Sequence, residues 1–206
     1  TLDDWIVDGG LVKSNININA DLSNAEKTQV DISAVLNSIG IHLPKNNIHI
    51  DKVSGSLSFN SLTGLQSDLL TGAVFNNPIT ATIISDKKSG KLSTILKAKG
   101  EVDVSNITPW IGSALSGFLT GSAWLNVELQ LSEGKADLML FSNLKGISVD
   151  IPKPLNKKVK ESKDLKVFIP LVGEQREIVI NYGEGINARF LVDKKGAQSG
   201  IINLGL

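Results

Sequence analysis

Apolar residues alternate with polar residues over much of the second half of the chain. Between positions 123 and 143, and again between 163 and 193, nearly every second residue is apolar. Leu125, Val127 and Leu129 show the pattern, with Asn126 and Glu128 between them. Strand side chains point to opposite faces with a period of two. Each stretch therefore predicts a β-strand with one apolar face and one mostly polar face.

Turn residues separate these stretches. Gly, Asn, Asp and Lys clusters recur at intervals of about ten residues, which favours an antiparallel meander over βαβ units. Residues 5–7 and 11–19 are predicted to form a first pair of strands around a tight turn at Asp8-Gly9-Gly10. The other predicted strands are residues 29–32, 48–51, 53–60, 67–75, 79–85, 92–99, 100–104, 121–131, 135–143, 146–151, 165–171, 176–182 and 187–193.

Two segments are predicted to be helical. Thr108 suits a helix cap, Pro109 suits the first turn, and Gly121 suits the end of the helix. Apolar residues at helical spacing in this segment are Trp110, Ile111, Ala114, Leu115, Phe118 and Leu119. Since a membrane span needs roughly 20 apolar residues, we expect this helix to pack on the end of the sheet, with dipping into a membrane as the alternative. Residues 33–39 predict a second short helix, which Gly40 ends.

So few helices leave little to cover the apolar strand faces. The predicted fold is mostly β, a long curled antiparallel sheet with one or two short helices. The sheet is expected either to form an open groove or to close on itself like a sandwich. Residues 1–206 are expected to form a single segment of this kind, belonging to a longer protein.

Composition argues against several classes of function. The 206-residue chain carries 21 basic and 21 acidic residues, and aromatic residues make up 5% of it. A nucleic-acid-binding domain would be clearly basic, and a base-stacking platform would be richer in aromatics, so no nucleic-acid partner is expected. The absence of cysteine excludes disulfides, zinc–thiolate sites and thiol nucleophiles.

No motif for catalysis is found. The only histidines, His42 and His49, lack the spacing of a known metal motif, and no nucleophile elbow, Walker or Rossmann pattern occurs. Gly183-Glu184-Gly185 follows a predicted strand and is expected to be a hairpin turn. We therefore expect no metal, no cofactor and no enzymatic activity.

A run of lysines surrounds Pro152 and Pro154. The interpretation favoured by such a run is a solvated, exposed loop, and attraction to anionic lipid headgroups is the alternative. Glu161 and Asp164 dilute the charge. The lysines of the run are Lys153, Lys157, Lys158, Lys160, Lys163 and Lys166.

The same loop carries a family resemblance. Residues 142–157, SNLKGISVDIPKPLNK, resemble a signature of large AsmA-like proteins of the YhdP branch. Weaker landmarks follow the family order from about position 41 onward, although Asn76 stands where the family pattern has glycine. These landmarks are residues 53–59 (VSGSLSF), 73–79 (AVFNNPI), 108–111 (TPWI) and 119–124 (LTGSAW).

The resemblance implies a bridge-like phospholipid transfer protein. Proteins of that family are anchored in the inner membrane of Gram-negative bacteria and span the periplasm, where a curled β-sheet passes phospholipids towards the outer membrane. The implied location is periplasmic, and the implied role is in outer-membrane biogenesis. The implied partners are phospholipids, the rest of the chain and a membrane surface.

Under this hypothesis the working part is an apolar face rather than a catalytic cluster. One alternative is a closed β-sandwich that serves as a structural or outer-membrane assembly module without lipid. Another is a carbohydrate-active or other hydrolytic domain, which would need carboxylates clustered in space. The residues expected to line the lipid groove are Leu125, Val127, Leu129, Leu138, Leu140, Ile147, Val149, Val167, Ile169, Ile178 and Ile180.

Overall fold

The computed structural model describes residues 6–20, 23, 28–44, 48–88, 90–111 and 117–205. Over these ranges the chain forms one large antiparallel sheet and one short helix, which confirms the predicted mostly-β fold. The strands are β1 Ile6–Asp8, β2 Leu11–Asn19, β3 Gln29–Leu43, β4 Ile48–Asn60, β5 Gly64–Ser67, β6 Leu70–Val74, β7 Asn77–Lys88, β8 Lys91–Asp103, β9 Leu119–Ser132, β10 Lys135–Ser142, β11 Ile147–Val149, β12 Leu165–Pro170, β13 Arg176–Tyr182, β14 Ile186–Asp193 and β15 Gly196–Leu204.

The strands follow one another across the sheet largely in chain order. The main path is β1-β3-β4-β5-β7-β8-β9-β10-β12-β13-β14-β15, while β2 pairs with β3, β6 with β4 and β7, and β11 with β9. Contacts divide the chain into two compact units. The first unit comprises Thr1–Ala98 and Leu131–Glu133, and the second comprises Lys99–Gln130 and Gly134–Leu206.

In the first unit, β3 replaces the predicted helix at residues 33–39. This segment is part of a 15-residue strand that pairs with β2 on one side and β4 on the other. Val30, Ile32, Ala34 and Leu36 alternate along it. The helical prediction was wrong because pairing with two neighbours satisfies the backbone and overrides a weak local propensity.

The first two strands do not pair with each other, contrary to the prediction. β1 pairs with the end of β3 at His42, Ile41 and Gly40, and β2 pairs with the preceding part of β3. Gly9 and Gly10, both at positive φ, connect β1 to β2, and both strands pair with β3 instead of with each other.

The turn between β6 and β7 explains Asn76. Val74 pairs with Asn77, so Phe75 and Asn76 form a two-residue hairpin turn with φ of 51° and 62°. Two positive φ angles define a type I′ turn, in which asparagine is tolerated almost as well as glycine. Asn76 thus preserves the turn despite its departure from the family pattern.

The helix also differs from its prediction. Helix α1 spans Val104–Ile111, so it begins four residues before the predicted cap at Thr108. Its cap is Asp103, whose Oδ1 accepts hydrogen bonds from the Ser105 amide at 2.8 Å and the Ser105 hydroxyl at 2.5 Å. These bonds hold the pKa of the Asp103 carboxyl below its usual value. Leu119 and Gly121, predicted at the helix end, belong to β9. The predicted Ala114 and Leu115 lie outside the described residues.

Few side chains are fully buried. The buried apolar residues among those described are Ile39, Val53, Leu70, Val104, Ala123, Val149 and Ala188. Most apolar strand residues are therefore half-buried or exposed. No described helix has the length and apolar character needed to cross a membrane.

Candidate functional site

The second unit carries a continuous apolar face across five neighbouring strands. Leu140 lies opposite Val167, Val167 opposite Ile180, Ile180 opposite Ala188, and Ala188 opposite Ile202. Residues directly opposite each other in an antiparallel pair point to the same face. This row therefore runs from β10 to β15 on one side of the sheet.

Neighbouring rows extend the same face. Leu138 lies opposite Ile169, and Ile178 lies opposite Phe190. Phe190 in turn lies opposite Gly200, whose missing side chain leaves room for the phenylalanine ring. Six of the predicted lining residues thus share one face: Leu138, Leu140, Val167, Ile169, Ile178 and Ile180.

The other face of these strands is mixed. Lys166 lies opposite Asn181 there, and Asn181 opposite Asn187. In the next row of this face, Phe168 lies opposite Val179 and the two form an apolar pair. The unit is therefore two-sided, with its larger unbroken apolar surface on the Val167 side.

The protein covers this apolar face only in part. The six predicted residues on it are all half-buried, and none is among the buried core residues. Towards β15 the face opens further, since Ile202 is 59% exposed. An apolar surface that is partly exposed and crosses several strands is typical of a site of contact with a partner, ligand or membrane.

The remaining predicted lining residues lie on β9 and β11. Leu125, Val127 and Leu129 are half-buried and alternate along β9, so they share one of its faces. Ile147 lies opposite Gly121 and is half-buried. Val149 is 8% exposed, because the loop after β11 folds back and pairs with it. Val149 packs the loop and is not part of the open surface.

A second apolar face, in the first unit, was missed by the sequence analysis. Ile16 lies opposite Ile32, and Ile32 opposite Phe59, with Ile18 opposite Val30 on the same face. Ile16 and Ile18 are 57% and 65% exposed. The signal was the alternation along β2 and β3, which the helical prediction for residues 33–39 interrupted.

The polar face of the first unit contains a shallow cleft of about 340 Å³. Amide and hydroxyl side chains dominate its lining, and Asp31 is the one carboxylate among the lining residues. Its Oδ1 accepts a 2.6 Å hydrogen bond from Nδ2 of Asn60. This cleft holds no carboxylate pair of the kind that the hydrolase alternative needs.

The two histidines meet across β3 and β4. His42 lies opposite His49, and their rings stack with centroids 3.8 Å apart and planes 15° apart. No group of three or more potential metal ligands occurs within the described part of the chain. The stacked pair is a cross-strand contact that helps to join the two strands.

The lysine-rich loop is not uniformly solvated, contrary to its prediction. Lys157 is 1% exposed, the most deeply buried large side chain among the described residues. Its ammonium donates to the carbonyl oxygens of Ile147 at 2.6 Å and Lys158 at 3.1 Å. Burial lowers the pKa of Lys157, with the Glu161 carboxylate acting in the opposite direction and the Lys163 ammonium adding to the lowering. Lys157 is the last residue of the SNLKGISVDIPKPLNK segment.

Lys163 also stabilises the lysine-rich loop through hydrogen bonds to its backbone. Its ammonium donates to the carbonyl oxygens of Pro154 at 2.8 Å and Asn156 at 3.0 Å, and lies 4.8 Å from the ring centroid of Tyr182. The Tyr182 hydroxyl donates to the carbonyl of Leu155 at 2.8 Å. Burial, and then the nearby Glu161 charge, raise the pKa of Tyr182 above its ordinary value.

Comparison with known proteins agrees with the motif carried by this loop. Residues 1–206 match the protein family described as "YhdP protein". No curated protein and no solved structure matches the chain. The family match covers the full sequence, including the first forty residues, where the motif resemblance was absent. The chain belongs to the YhdP family.

Proposed function

We propose that the apolar sheet faces of this chain bind phospholipid acyl chains, and that the chain is a segment of a lipid conduit between the inner and outer membranes. Membership in the YhdP family supports a lipid-transport role in the Gram-negative cell envelope. The observation that carries the finer proposal is the unbroken cross-strand row from Leu140 to Ile202, in which every residue except Ala188 is half-buried or exposed.

The energetics favour hydrocarbon as the occupant of such a face. Burying one CH₂ group contributes about 0.8 kcal/mol, so an acyl chain lying along several rows gains several kcal/mol without a specific polar contact. A polar headgroup gains nothing from the same surface and remains in water. Binding of this kind tolerates many lipids and needs no catalytic residue.

The location and partners follow from the same proposal. The segment works in the periplasm as part of a protein anchored in the inner membrane. Its partners are phospholipids, the rest of its own chain and a membrane surface. No catalytic step, cofactor or metal enters this mechanism.

The test compares two substitutions on adjacent residues of β13. Ile180 lies on the apolar face and Val179 on the opposite face, and both are half-buried. We expect Ile180→Asn to reduce the phospholipid that copurifies with the gently isolated protein, measured by mass spectrometry, while Val179→Asn leaves it unchanged. Charged residues at Val127 and Leu129 in the full-length protein are expected to impair lipid delivery.

Two other outcomes would count against the proposed lipid binding. If the folded wild-type protein carries no lipid and binds no apolar dye, the sheet behaves as a closed structural module and the proposal fails. Equal lipid loss in the Ile180→Asn and Val179→Asn proteins would show that the effect comes from folding and not from the face. Circular dichroism of both variants supplies the folding control.

A further inference from the structure

The loop after β11 meets the apolar face of the second unit at one end. Leu165 lies opposite Tyr182, and Tyr182 opposite Ile186, which makes this the last row of the face at the end of β13. The next row inward contains Val167 and Ile180. Tyr182 and its row therefore mark the border where the apolar face ends.

Residues 152–156, called here the strap, lie against this border. The Tyr182 hydroxyl projects from the apolar face and donates to Leu155 in the middle of the strap. The ammonium of Lys163 donates to the carbonyls of Pro154 and Asn156, on either side of Leu155. The Tyr182 hydroxyl and the Lys163 ammonium thus hold three consecutive backbone carbonyls of the strap.

The strap is also anchored at its far side. Lys157 follows it directly, and its buried ammonium binds the Ile147 carbonyl of β11. The backbone of Lys157 exchanges two hydrogen bonds with Val149, of 2.8 and 3.0 Å. Since a buried ammonium is strongly disfavoured without its acceptors, Lys157 ties the strap to β11.

We propose that the strap is a fixed end-stop for hydrocarbon on this face, and that Lys157 and Lys163 are the residues that position it. Acyl chains on the face reach the Val167–Ile180 row but stop before the Tyr182 row. This inference rests on the proposed function and assigns a role to the segment that carries the family signature. Hydrogen bonds from both sides make the strap a rigid part of the unit rather than a moving lid.

The experiment maps where an acyl chain touches the protein. The purified chain is incubated with phosphatidylcholine vesicles that carry a photoreactive diazirine near the end of one acyl chain. After irradiation, labelled residues are identified by peptide mass spectrometry. In the wild-type protein we expect labels on Val167 and Ile180 and their neighbours inward, and none on Leu165 or Ile186.

Releasing the strap should extend the labelled area. In the double variant Lys163→Met, Tyr182→Phe, labels on Leu165 and Ile186 are expected to appear, with roughly 10-fold faster amide exchange in the strap because its side-chain contacts are lost. Lys166→Met is the matched control, since Lys166 lies on the opposite face and is exposed. It should leave the labels and the exchange unchanged.

The outcomes separate the two proposals. Wild-type labels on Leu165 and Ile186 as strong as those on Val167 would overturn the end-stop and leave lipid binding intact. Faster exchange in the double variant with an unchanged label map would also overturn it. An absence of labels from the whole apolar face of wild-type protein would overturn the proposed function itself. The wild-type map is decisive even if the double variant does not fold.

Discussion

At the scale of single residues, Lys157 shows how a charged side chain becomes part of a core. Its ammonium donates hydrogen bonds to two backbone carbonyls, which take the place of water. A lone buried charge would be very costly, but a hydrogen-bonded one is tolerated and becomes hard to replace. The lysine run looked uniform in the sequence, whereas only Lys153, Lys158, Lys160 and Lys166 of its six members are exposed.

Replacing this lysine should therefore be costly. Lys157→Met keeps the length and volume of the side chain but leaves both carbonyls without their donor. We expect it to lower the free energy of unfolding by about 2–4 kcal/mol, measured by urea denaturation. Lys158→Met, at the exposed neighbouring position, should change stability far less. Equal effects of the two substitutions would contradict the structural role of Lys157.

Tyr182 offers a direct spectroscopic test, because it is the only tyrosine in the chain. Burial and the Glu161 charge raise its pKa, so phenolate absorbance in the folded protein should appear at higher pH than in urea-unfolded protein, where the ordinary value is 10.0. Because the folded state favours the neutral phenol, Tyr182 makes a pH-dependent contribution to the free energy of unfolding. This contribution is fully present below pH 10.0 and is lost as pH rises through the folded-state pKa.

Glu161→Gln supplies the matched variant for this titration. It removes one of the two causes of the raised pKa and should bring the folded-state midpoint down towards the ordinary value. Identical midpoints for folded and unfolded wild-type protein would contradict the described environment of Tyr182.

At the scale of elements, two motif glycines explain how β9 and β11 come together. Gly121 and Gly146 both have positive φ, of 97° and 104°. A Cβ on Gly121 would collide with the Gly146 carbonyl oxygen, and a Cβ on Gly146 with the Ser122 carbonyl oxygen. Only glycine allows this backbone approach, which is a physical reason for glycine at both places in the family-like segments.

The close approach predicts a large effect of a small substitution. Gly121→Ala adds both backbone strain and a clash with a carbonyl, so we expect a loss of roughly 2–4 kcal/mol in unfolding free energy. Gly134→Ala is the matched control: φ is 70° at this turn, but a Cβ there would meet nothing within 4 Å. The difference between the two variants, read by thermal unfolding, isolates the clash. Equal destabilisation would contradict the described contact.

The elements also show where prediction from the sequence succeeded. Strands β2 and β13 have the predicted bounds, because each has a turn glycine at one end, Gly10 before β2 and Gly183 after β13. The strand β15 was not predicted, since two glycines and polar residues blur its alternation and Gly200 makes sense only beneath Phe190. The helix start was misplaced because Asp103, at the end of a strand, is the actual cap.

At the scale of the whole molecule, each unit has its own apolar face. In the second unit the predicted lining residues on β10, β12 and β13 share a face because their alternation and register agree. Their use in lipid binding stays a prediction. In the first unit the comparable face was missed, although its residues obey the same period of two. A set of exposed apolar residues on both units is the surface pattern that the conduit proposal needs.

This pattern predicts that the first unit also binds hydrocarbon. The double substitution Ile16→Asn, Ile18→Asn should reduce binding of an apolar fluorescent dye with little loss of stability, because both residues are exposed on β2. Val35→Asn is the control, since Val35 is 54% exposed on the polar face of the same strands. Unchanged dye binding in the double variant would exclude the first unit from the proposed path.

Local patterns were enough to predict strands with one apolar side, because a period of two is a property of backbone geometry. They were also enough to predict most turns, where glycine and asparagine supply positive φ. Strand pairing and register were set by the tertiary structure. It alone decided that Lys157 is buried and that residues 33–39 are a strand. Those outcomes depend on hydrogen bonds and packing between segments far apart in the chain, which a local pattern does not encode.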